Sequence, residues 1–312
     1  MTFALALLVA CGAVRALSPD VSVLVASTVG VGIATGLAGA LLPAAVKVAV
    51  PAQAGLATGI YTIGIQLGAA LSAAAAVPLA LTIGWRGALL AFSVAIALLL
   101  GSWVTLGKLI PGRARMDARA PKLPLLSGSA WHFAAIFALD SLCFYGLTTW
   151  VPTIYVERGW PVVAAGSLVA ILNGVALPAS LVVPWLSDRT RQRGPYLVGA
   201  GGALAAALLG LLVLPALAIG WVAVAGMSLG ALFPLALTLP VDRGSGSGEV
   251  AGFAAVTLAG GYAVASMGPV VLGWSRDLTG SFTVALAILV AAALGLVVLS
   301  LLLRPPESVV HE

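Results

Sequence analysis

The phrase Gly39-Ala40-Leu41-Leu42-Pro43 recurs as Gly230-Ala231-Leu232-Phe233-Pro234, at an offset of 191 residues. A second phrase, Ala54-Gly55-Leu56-Ala57, recurs as Ala251-Gly252-Phe253-Ala254, at an offset of 197 residues. Two pairs of phrases in the same order and at nearly the same offset indicate an internal duplication. We therefore predict two homologous units, and the repeat length of about two hundred residues implies that the first unit is incomplete.

The composition of both units is that of a membrane protein. Apolar residues make up 61% of the chain and charged residues 8%, whereas a soluble domain carries about 25% charged residues. Continuous hydrophobic stretches of ~20 residues cross a bilayer as helices, while membrane barrels show shorter, alternating segments. We predict an all-α membrane protein with about ten spans: 2–17, 21–46, 53–83, 86–107, 130–156, 162–186, 196–216, 218–240, 250–273 and 282–304.

A basic stretch at 108–129 divides four spans from six. The predicted domains are an N-terminal bundle at 1–107, a cytoplasmic linker at 108–129, and a six-helix bundle with a short tail at 130–312. The repeated phrase lies in the second span of the first bundle and in the fourth span of the second. We therefore expect the first bundle to correspond to helices three to six of a six-helix unit. A truncated gene or a misplaced start codon would explain two missing spans, and such a product is expected to transport poorly.

The distribution of basic residues predicts the orientation. An even number of spans places both termini on one side, and cytoplasmic loops of membrane proteins carry an excess of Lys and Arg. With the linker and both termini in the cytoplasm of a cell with a bacterial-type inner (plasma) membrane, eleven basic residues lie inside and four outside. The inside set is Lys47, Lys108, Arg113, Arg115, Arg119, Lys122, Arg189, Arg191, Arg193, Arg243 and Arg304, and the outside set is Arg15, Arg86, Arg158 and Arg276.

Two six-helix units joined by a basic cytoplasmic linker describe the major facilitator architecture, and several motifs resemble that superfamily. Residues 184–194 (PWLSDRTRQRG) resemble the second copy of its loop motif, G-x-x-x-D-R-x-G-R-R, and residues 261–273 resemble its Gly-Pro-rich eleventh helix. More specifically, the sequence is similar to the cyanate permease and nitroimidazole transporter family at 40–47, 84–89, 144–152 and 230–243. The resemblance implies a monomeric secondary transporter. This chain departs from that family at Gly39, where Asn is common, and at Asp140, where Gln is common.

Asp140 is the sharpest candidate for a transport role. It lies about ten residues into its predicted span, ~15 Å deep at ~1.5 Å per residue. An ionised aspartate near a bilayer centre costs about 2.5–3.5 kcal/mol on insertion scales. Such residues usually line a transport path, so we interpret Asp140 as a proton-exchanging or substrate-contacting residue. The alternative is a neutral acid that is hydrogen-bonded to a neighbouring helix.

Further polar residues in the predicted spans are candidates to line a solute site. Ser141, Tyr145 and Thr148 follow Asp140 on one helix face, and ordinary helix–helix hydrogen bonding explains them equally well. Other spans contribute Tyr61, Gln66, Asn173 and Tyr262 as candidate substrate or coupling residues. Near the outer end of the same span, Trp150 and Tyr155 are interpreted as members of an interfacial aromatic belt.

Two further groups of residues are interpreted, the first as a gate and the second as a helix-packing surface. The predicted cytoplasmic gate motif consists of Asp188, Arg189, Arg191 and Arg193. In it, the carboxylate of Asp188 accepts hydrogen bonds from the N-terminus of a neighbouring helix or pairs with an arginine. Simple positive-inside anchoring explains the arginines but not the aspartate. Gly260, Gly261, Gly268 and Gly273 crowd one span, which favours close helix packing, and Pro269 permits a kink there.

The sequence favours transport over other classes of function. It shows no P-loop, no metal-ligand spacing and no extramembrane nucleotide domain, so we predict no enzyme activity, no cofactor, no metal and no nucleic-acid partner. The leading hypothesis is a secondary transporter of a small polar solute or organic anion, with protons as a coupling option and the lipid bilayer as its environment. The alternatives are a multidrug-type efflux carrier and an inactive truncated transporter.

Overall fold

The structure, a computed structural model, describes residues 1–49, 54–106, 123–190, 192–243 and 247–303, without the side chains of residues 39–49, 54–62, 66, 106, 247 and 248. These residues form α-helices joined by short turns, with a 3-10 turn at Pro215–Leu217. The helices are α1 (Thr2–Ala16), α2 (Val21–Ala49), α3 (Ala54–Leu106), α4 (Gly128–Glu157), α5 (Val162–Thr190), α6 (Gly194–Val213), α7 (Ala218–Arg243), α8 (Ser247–Ala265), α9 (Gly268–Thr279) and α10 (Thr283–Leu301).

The predicted spans correspond to these helices, with three differences. Eight stretches of the described residues are long and apolar enough to cross a membrane, and one of them, within α3, contains two predicted spans separated by a break at Gly84. Gly84 has φ 74° and ψ 161°, a conformation that glycine adopts without the steric cost of a Cβ. The first predicted span is a shorter apolar helix, α1, of 15 residues. At ~1.5 Å per residue its length is ~22 Å, against a hydrocarbon core of ~30 Å.

The ninth predicted span, 250–273, is not one continuous helix. α8 ends at Ala265 and α9 begins at Gly268, with the amide of Met267 donating to the carbonyl of Val264 at 3.1 Å. Pro269 explains the break, because proline has no N–H to donate and its ring clashes with a preceding turn, yet it fits the first turn of a new helix. The predicted kink is therefore present, and the predicted span is wrong in its continuity and in its end, since α9 extends to Thr279.

The described residues separate into two compact units. The first contains Met1–Ile65 and continues from Ala74 through the rest of α3. The second contains α4 to α10 together with Gln66–Ala73. The predicted linker lies largely outside the described residues, and its last two positions belong to α4, which begins at Gly128. The domain boundaries 1–107, 108–129 and 130–312 stay a prediction.

In the first unit, α1 packs on α2 and on the part of α3 that follows Gly84. A Cβ placed on Gly12 would lie 2.6 Å from Oγ of Ser93, and one placed on Gly30 would overlap Sγ of Cys11. The guanidinium of Arg86 donates to the carbonyl of Ser18 at 2.8 Å. Small residues and one long hydrogen-bond donor therefore hold these three segments together.

The second unit has a continuous hydrophobic core, to which α4, α5, α6, α7 and α10 contribute most of the buried leucines and phenylalanines. One helix pair, α5 and α7, approaches closely at two glycines. A Cβ on Gly226 or Gly230 of α7 would overlap the backbone of Leu172 or Ala176 in α5. Glycines at these crossings let helices meet at backbone distance, as small residues do in membrane bundles.

The four glycines of the predicted ninth span all face α4. A Cβ on Gly260 would lie 3.2 Å from Trp131, and a Cβ on Gly261 would overlap the ring of Phe137. Further along, Gly268 faces Leu142 at 3.2 Å and Gly273 faces Trp150 at 2.6 Å. The interpretation of these glycines as packing residues is confirmed by this geometry.

Candidate functional site

Asp140 lies in the middle of α4, inside the second unit. Its side chain is 2% exposed, and its Oδ1 has no hydrogen-bond partner among the described residues. The α4 residues around it, including Ile136, Phe137, Cys143 and Leu147, belong to the hydrophobic core. The carboxyl group is therefore buried inside the bundle, and its role as a proton-exchanging or substrate-contacting group stays a prediction. The predicted alternative, an acid hydrogen-bonded to a neighbouring helix, has no support at Oδ1.

The three hydroxyls that follow Asp140 are in different environments. Ser141 is buried, Thr148 is half-buried with an Oγ1 that has no partner among the described residues, and Tyr145 is 40% exposed. The face of α4 that bears them therefore runs along the edge of the packed core. Their predicted contribution to a pore lining stays a prediction.

Tyr145 and Tyr262 come together across α4 and α8. Their ring centroids are 6.4 Å apart, and Tyr262 is 39% exposed. Each ring is held by an edge-to-face neighbour: Phe137 against Tyr262 at 5.0 Å and Phe144 against Tyr145 at 5.4 Å. Such pairs fix ring orientation, so Tyr145 in the middle of α4 and Tyr262 near the end of α8 present preoriented rings at the surface of the unit.

Asn173 and Thr257 add buried polar atoms from two further helices. Asn173, on α5, donates from Nδ2 to the carbonyl of Val169 at 2.9 Å, while its Oδ1 has no partner among the described residues. Thr257, on α8, is fully buried with an unpartnered Oγ1 in the same described set. Sequence reasoning missed Thr257, because a threonine in an apolar helix usually bonds to its own backbone and gives no pattern. The side chains of Tyr61 and Gln66 lie outside the described residues.

Arg193 organises the end of the second unit that carries Arg189, Arg193 and Arg243, which we call the basic end. Its Nη1 contacts Oδ1 of Asp188 at 2.5 Å and donates to Oγ of Ser187 at 3.0 Å. Its Nε donates to Oδ2 of Asp242 at 2.9 Å. This side chain thus joins the end of α5 to the end of α7, and Arg191 lies outside the described residues.

The ion-pair network at the basic end includes one residue that was not predicted. Asp188 pairs with an arginine, as one of the two predicted alternatives held, but Asp242 was not identified as a member of the network. Its signal was available, since Asp242 precedes Arg243 at the end of the span that carries the repeated phrase. Partial burial acts to lower the pKa of Arg193, and hydrogen bonds to Asp242 and Asp188 outweigh it, so the pKa lies above its ordinary value. The guanidinium therefore stays charged at any physiological pH.

At the opposite end of the unit, the aromatic-belt interpretation of Tyr155 is wrong. Tyr155 is 1% exposed, its hydroxyl donates to the carbonyl of Pro215 at 3.2 Å, and its ring packs against Trp160. Trp150 donates from Nε1 to the carbonyl of Pro269 at 2.9 Å. Both residues tie α4 to neighbouring elements, because their polar atoms find backbone acceptors inside the bundle.

Comparison with known proteins identifies the family. The sequence profile of the Major Facilitator Superfamily matches residues 1–269. The chain belongs to this superfamily. Its members are transporters, and the chain is accordingly a multi-pass membrane protein of a transporter family.

The curated relatives agree with the narrower resemblance. The 2-nitroimidazole transporter of Escherichia coli is 32% identical over 237 residues, covering 73% of this chain and 57% of that protein. An uncharacterized transporter of Bacillus subtilis is 30% identical over 233 residues, covering 70% and 55%. The cyanate transport protein of Escherichia coli is 28% identical over 178 residues, covering 56% and 46%. The chain spans about half the length of these relatives, and the expectation of two missing opening helices stays a prediction.

The fold of this superfamily member is also seen in solved structures. A crystal structure of the major facilitator transporter FucP in the outward conformation matches with a TM-score of 0.60 at 14% identity, covering 96% of this chain and 81% of that one. At such low identity the match shows the fold alone. The predicted fold class is therefore confirmed.

Proposed function

We propose that this protein is a secondary active transporter, which moves a small polar solute across a bacterial-type inner membrane by alternating access. The observation that carries the proposal is the buried, unpartnered carboxyl oxygen of Asp140 in the middle of α4. Acidic residues inside membrane spans are rare and mark substrate or proton paths. The membership of the chain in a superfamily of transporters supports the same conclusion.

The unpartnered polar atoms of Thr148, Asn173 and Thr257 support a polar site in the same unit. Each buried donor or acceptor without a partner costs about 1–3 kcal/mol, which a purely structural bundle would avoid with apolar side chains. Atoms on α4, α5 and α8 would be satisfied by water or solute during the transport cycle. Asp140 is then the residue that exchanges a proton with this site or contacts the solute.

The basic end supports the proposed orientation and gating. With Arg189, Arg193 and Arg243 in the cytoplasm, both termini are cytoplasmic by the positive-inside rule. The contacts of Arg193 with Asp188 and Asp242 would hold the ends of α5 and α7 together in one conformation and release them in the other. Together with Arg189 and Arg191, these residues form the proposed gate of a monomeric carrier.

A second candidate function is the export of planar amphipathic compounds. The preoriented rings of Tyr145 and Tyr262 favour it, because exposed aromatic faces stack against flat solutes. The relative that is named a 2-nitroimidazole transporter handles a solute of this shape. The two candidate functions differ in the class of solute, which is small and polar in the first and planar and amphipathic in the second.

Transport by reconstituted protein tests the proposal. Proteoliposomes that contain the chain are loaded with labelled 2-nitroimidazole or cyanate, and solute flux is followed with and without an imposed proton gradient. We expect protein-dependent flux of one of these solutes that responds to the gradient, and loss of that response in Asp140→Asn. Flux equal to that of protein-free liposomes for both solutes, under either gradient, would contradict the proposal for this chain and favour the predicted alternative of an inactive truncated transporter.

A further inference from the structure

An apolar groove runs along the second unit where α5, α6 and α7 meet. Its volume is about 540 Å³, and its lining includes Ala179 and Val182 of α5, Tyr196 and Gly199 of α6, and Met227 and Ala231 of α7. This volume lies within the range of sites that bind small molecules. The polar lining atoms are few, and the hydroxyl of the lining residue Ser228 is already bonded to the carbonyl of Val224 at 2.8 Å. The occupant must therefore present hydrocarbon to the walls.

A small residue on each helix leaves room for the groove: Ala179 on α5, Gly199 on α6 and Ala231 on α7. α5 and α6 both pack on α7, and Gly226 and Gly230 bring α5 close to α7 on one side. On the α6 wall, a Cβ built on Gly199 finds no atom within 4 Å. An open apolar crevice in a membrane bundle does not stay empty, since packing voids lose dispersion contacts.

The groove leads to a cation at the basic end. Pro178, Val182, Trp185 and Arg189 follow one another at spacings of four, three and four residues, which places them on one face of α5. The first two line the groove. Beyond them, the guanidinium of Arg189 lies 3.9 Å from the ring centroid of the half-exposed Trp185. Tryptophans of this kind mark the headgroup level of a bilayer.

Arg189 differs from its neighbour Arg193 in its charge balance. Arg193 is paired with Asp188 and Asp242. Among the described residues, the ion pairs leave Arg189 without a carboxylate partner. An exposed cation above an apolar groove is complementary to a molecule with an anionic head and a hydrocarbon tail.

We propose that this groove is a binding site for an anionic phospholipid. One acyl chain lies in the groove between α5 and α6, and the phosphate lies at Arg189 above Trp185. Basic pockets between membrane helices bind anionic headgroups in this way. The proposal is independent of the transported solute and of the transport direction.

Lipid titration of the purified chain in a non-ionic detergent tests the proposal. Phosphatidylglycerol and phosphatidylcholine with identical acyl chains are added, and bound lipid is counted by native mass spectrometry. We expect phosphatidylglycerol to bind about fivefold more tightly, which corresponds to one basic contact near a membrane surface. Arg189→Gln should remove this preference. Glycerol phosphate, which has the headgroup charge and no tail, should not compete.

Two glycines of α6 provide a test position and a matched control position for the binding of the acyl chain. Gly199 lines the groove and Gly202 does not, while a Cβ on either meets nothing within 4 Å. Gly199→Phe should fill the groove and weaken the binding of both lipids, and Gly202→Phe should leave binding unchanged. Circular dichroism checks that both variants are folded.

Three outcomes would overturn the proposal. The first is equal binding of the two lipids by the unsubstituted chain. The second is unchanged phospholipid binding by folded Gly199→Phe. The third is a lipid-free dimer that Gly199→Phe dissociates, which would assign the groove to a second copy of the chain.

Discussion

At the scale of single residues, Asp140 is the residue on which the proposed transport function chiefly rests. It introduces an ionisable group into a part of α4 that otherwise packs as hydrophobic core. A residue that served packing alone would need no carboxyl group there, because an apolar side chain avoids the cost of an unpartnered buried oxygen. The carboxyl group is therefore expected to matter for its chemistry.

Asp140→Asn is expected to abolish the coupling of transport to the proton gradient without affecting folding. Asparagine has nearly the same shape and cannot exchange a proton, so the variant should fold and lose the dependence of transport on the proton gradient. Thermal unfolding in detergent and solute flux at several imposed gradients are the two measurements. Asp140→Leu serves as a control for packing. An unchanged pH profile in a folded Asp140→Asn protein would show that the residue is structural.

Arg193 is expected to hold the end of α7 in place. Arg193→Gln removes the contacts to Asp188 and Asp242, and because these groups are partly exposed we expect a loss of only about 1 kcal/mol in stability. The local effect should be larger: amide hydrogen exchange at 239–243 should accelerate. Arg276→Gln, which removes a contact to Glu157 away from the basic end, is the matched control and should leave this exchange unchanged. Equal acceleration in both variants would argue against a specific latch.

At the scale of helices, the α5–α7 contact depends on the absence of side-chain atoms. Gly226 meets the carbonyl oxygen of Leu172, which is backbone and cannot rotate away. Gly220, on the same helix, has open space around its Cβ position. The two positions therefore separate close packing from the general effect of adding a methyl group.

Gly226→Ala is expected to destabilise the second unit by about 1–3 kcal/mol, the usual cost of overpacking. Gly220→Ala should be neutral or stabilising by up to about 1 kcal/mol, since alanine favours the helix over glycine. The midpoints of thermal unfolding in the same detergent compare the two variants. Equal midpoints would show that α5 and α7 separate easily, and that the close contact contributes little to stability.

The positions of the helices could be predicted from the sequence, whereas the side-chain contacts between helices of the bundle could not. Long apolar runs determine spans because the backbone must be hydrogen-bonded inside the hydrocarbon, and Pro269 indicated a kink in the ninth span. The continuity of 250–273 was mispredicted because hydropathy does not respond to a two-residue interruption. Tyr155 was misassigned to a belt, since its acceptor, the carbonyl of Pro215, is 60 residues away in sequence. Asp242 was missed for the same reason, being 49 residues from Arg193.

At the scale of the whole molecule, this chain and FucP share a fold although their sequences have little identity. The match to FucP at 14% identity is possible because membrane bundles need apolar spans, small residues at crossings and few specific contacts. The internal duplication is not yet tested by the structure, although both Pro43 and Pro234 lie inside long membrane helices. What remains for experiment at this scale is the orientation of the second unit, on which the gate and the coupling direction both depend.

Single cysteines at the two ends of the second unit test that orientation. Ser127 precedes α4, and Ser281 lies between α9 and α10 at the other end of the bundle. In a background with Cys11 and Cys143 replaced by alanine, the positive-inside rule predicts that Ser127→Cys faces the cytoplasm and Ser281→Cys the outside. An impermeant maleimide added to intact cells should therefore label Ser281→Cys and leave Ser127→Cys unlabelled. Opening the cells should expose both cysteines, which controls for accessibility. Labelling of Ser127→Cys from outside would invert the topology and place Arg193, Asp188 and Asp242 at an external gate.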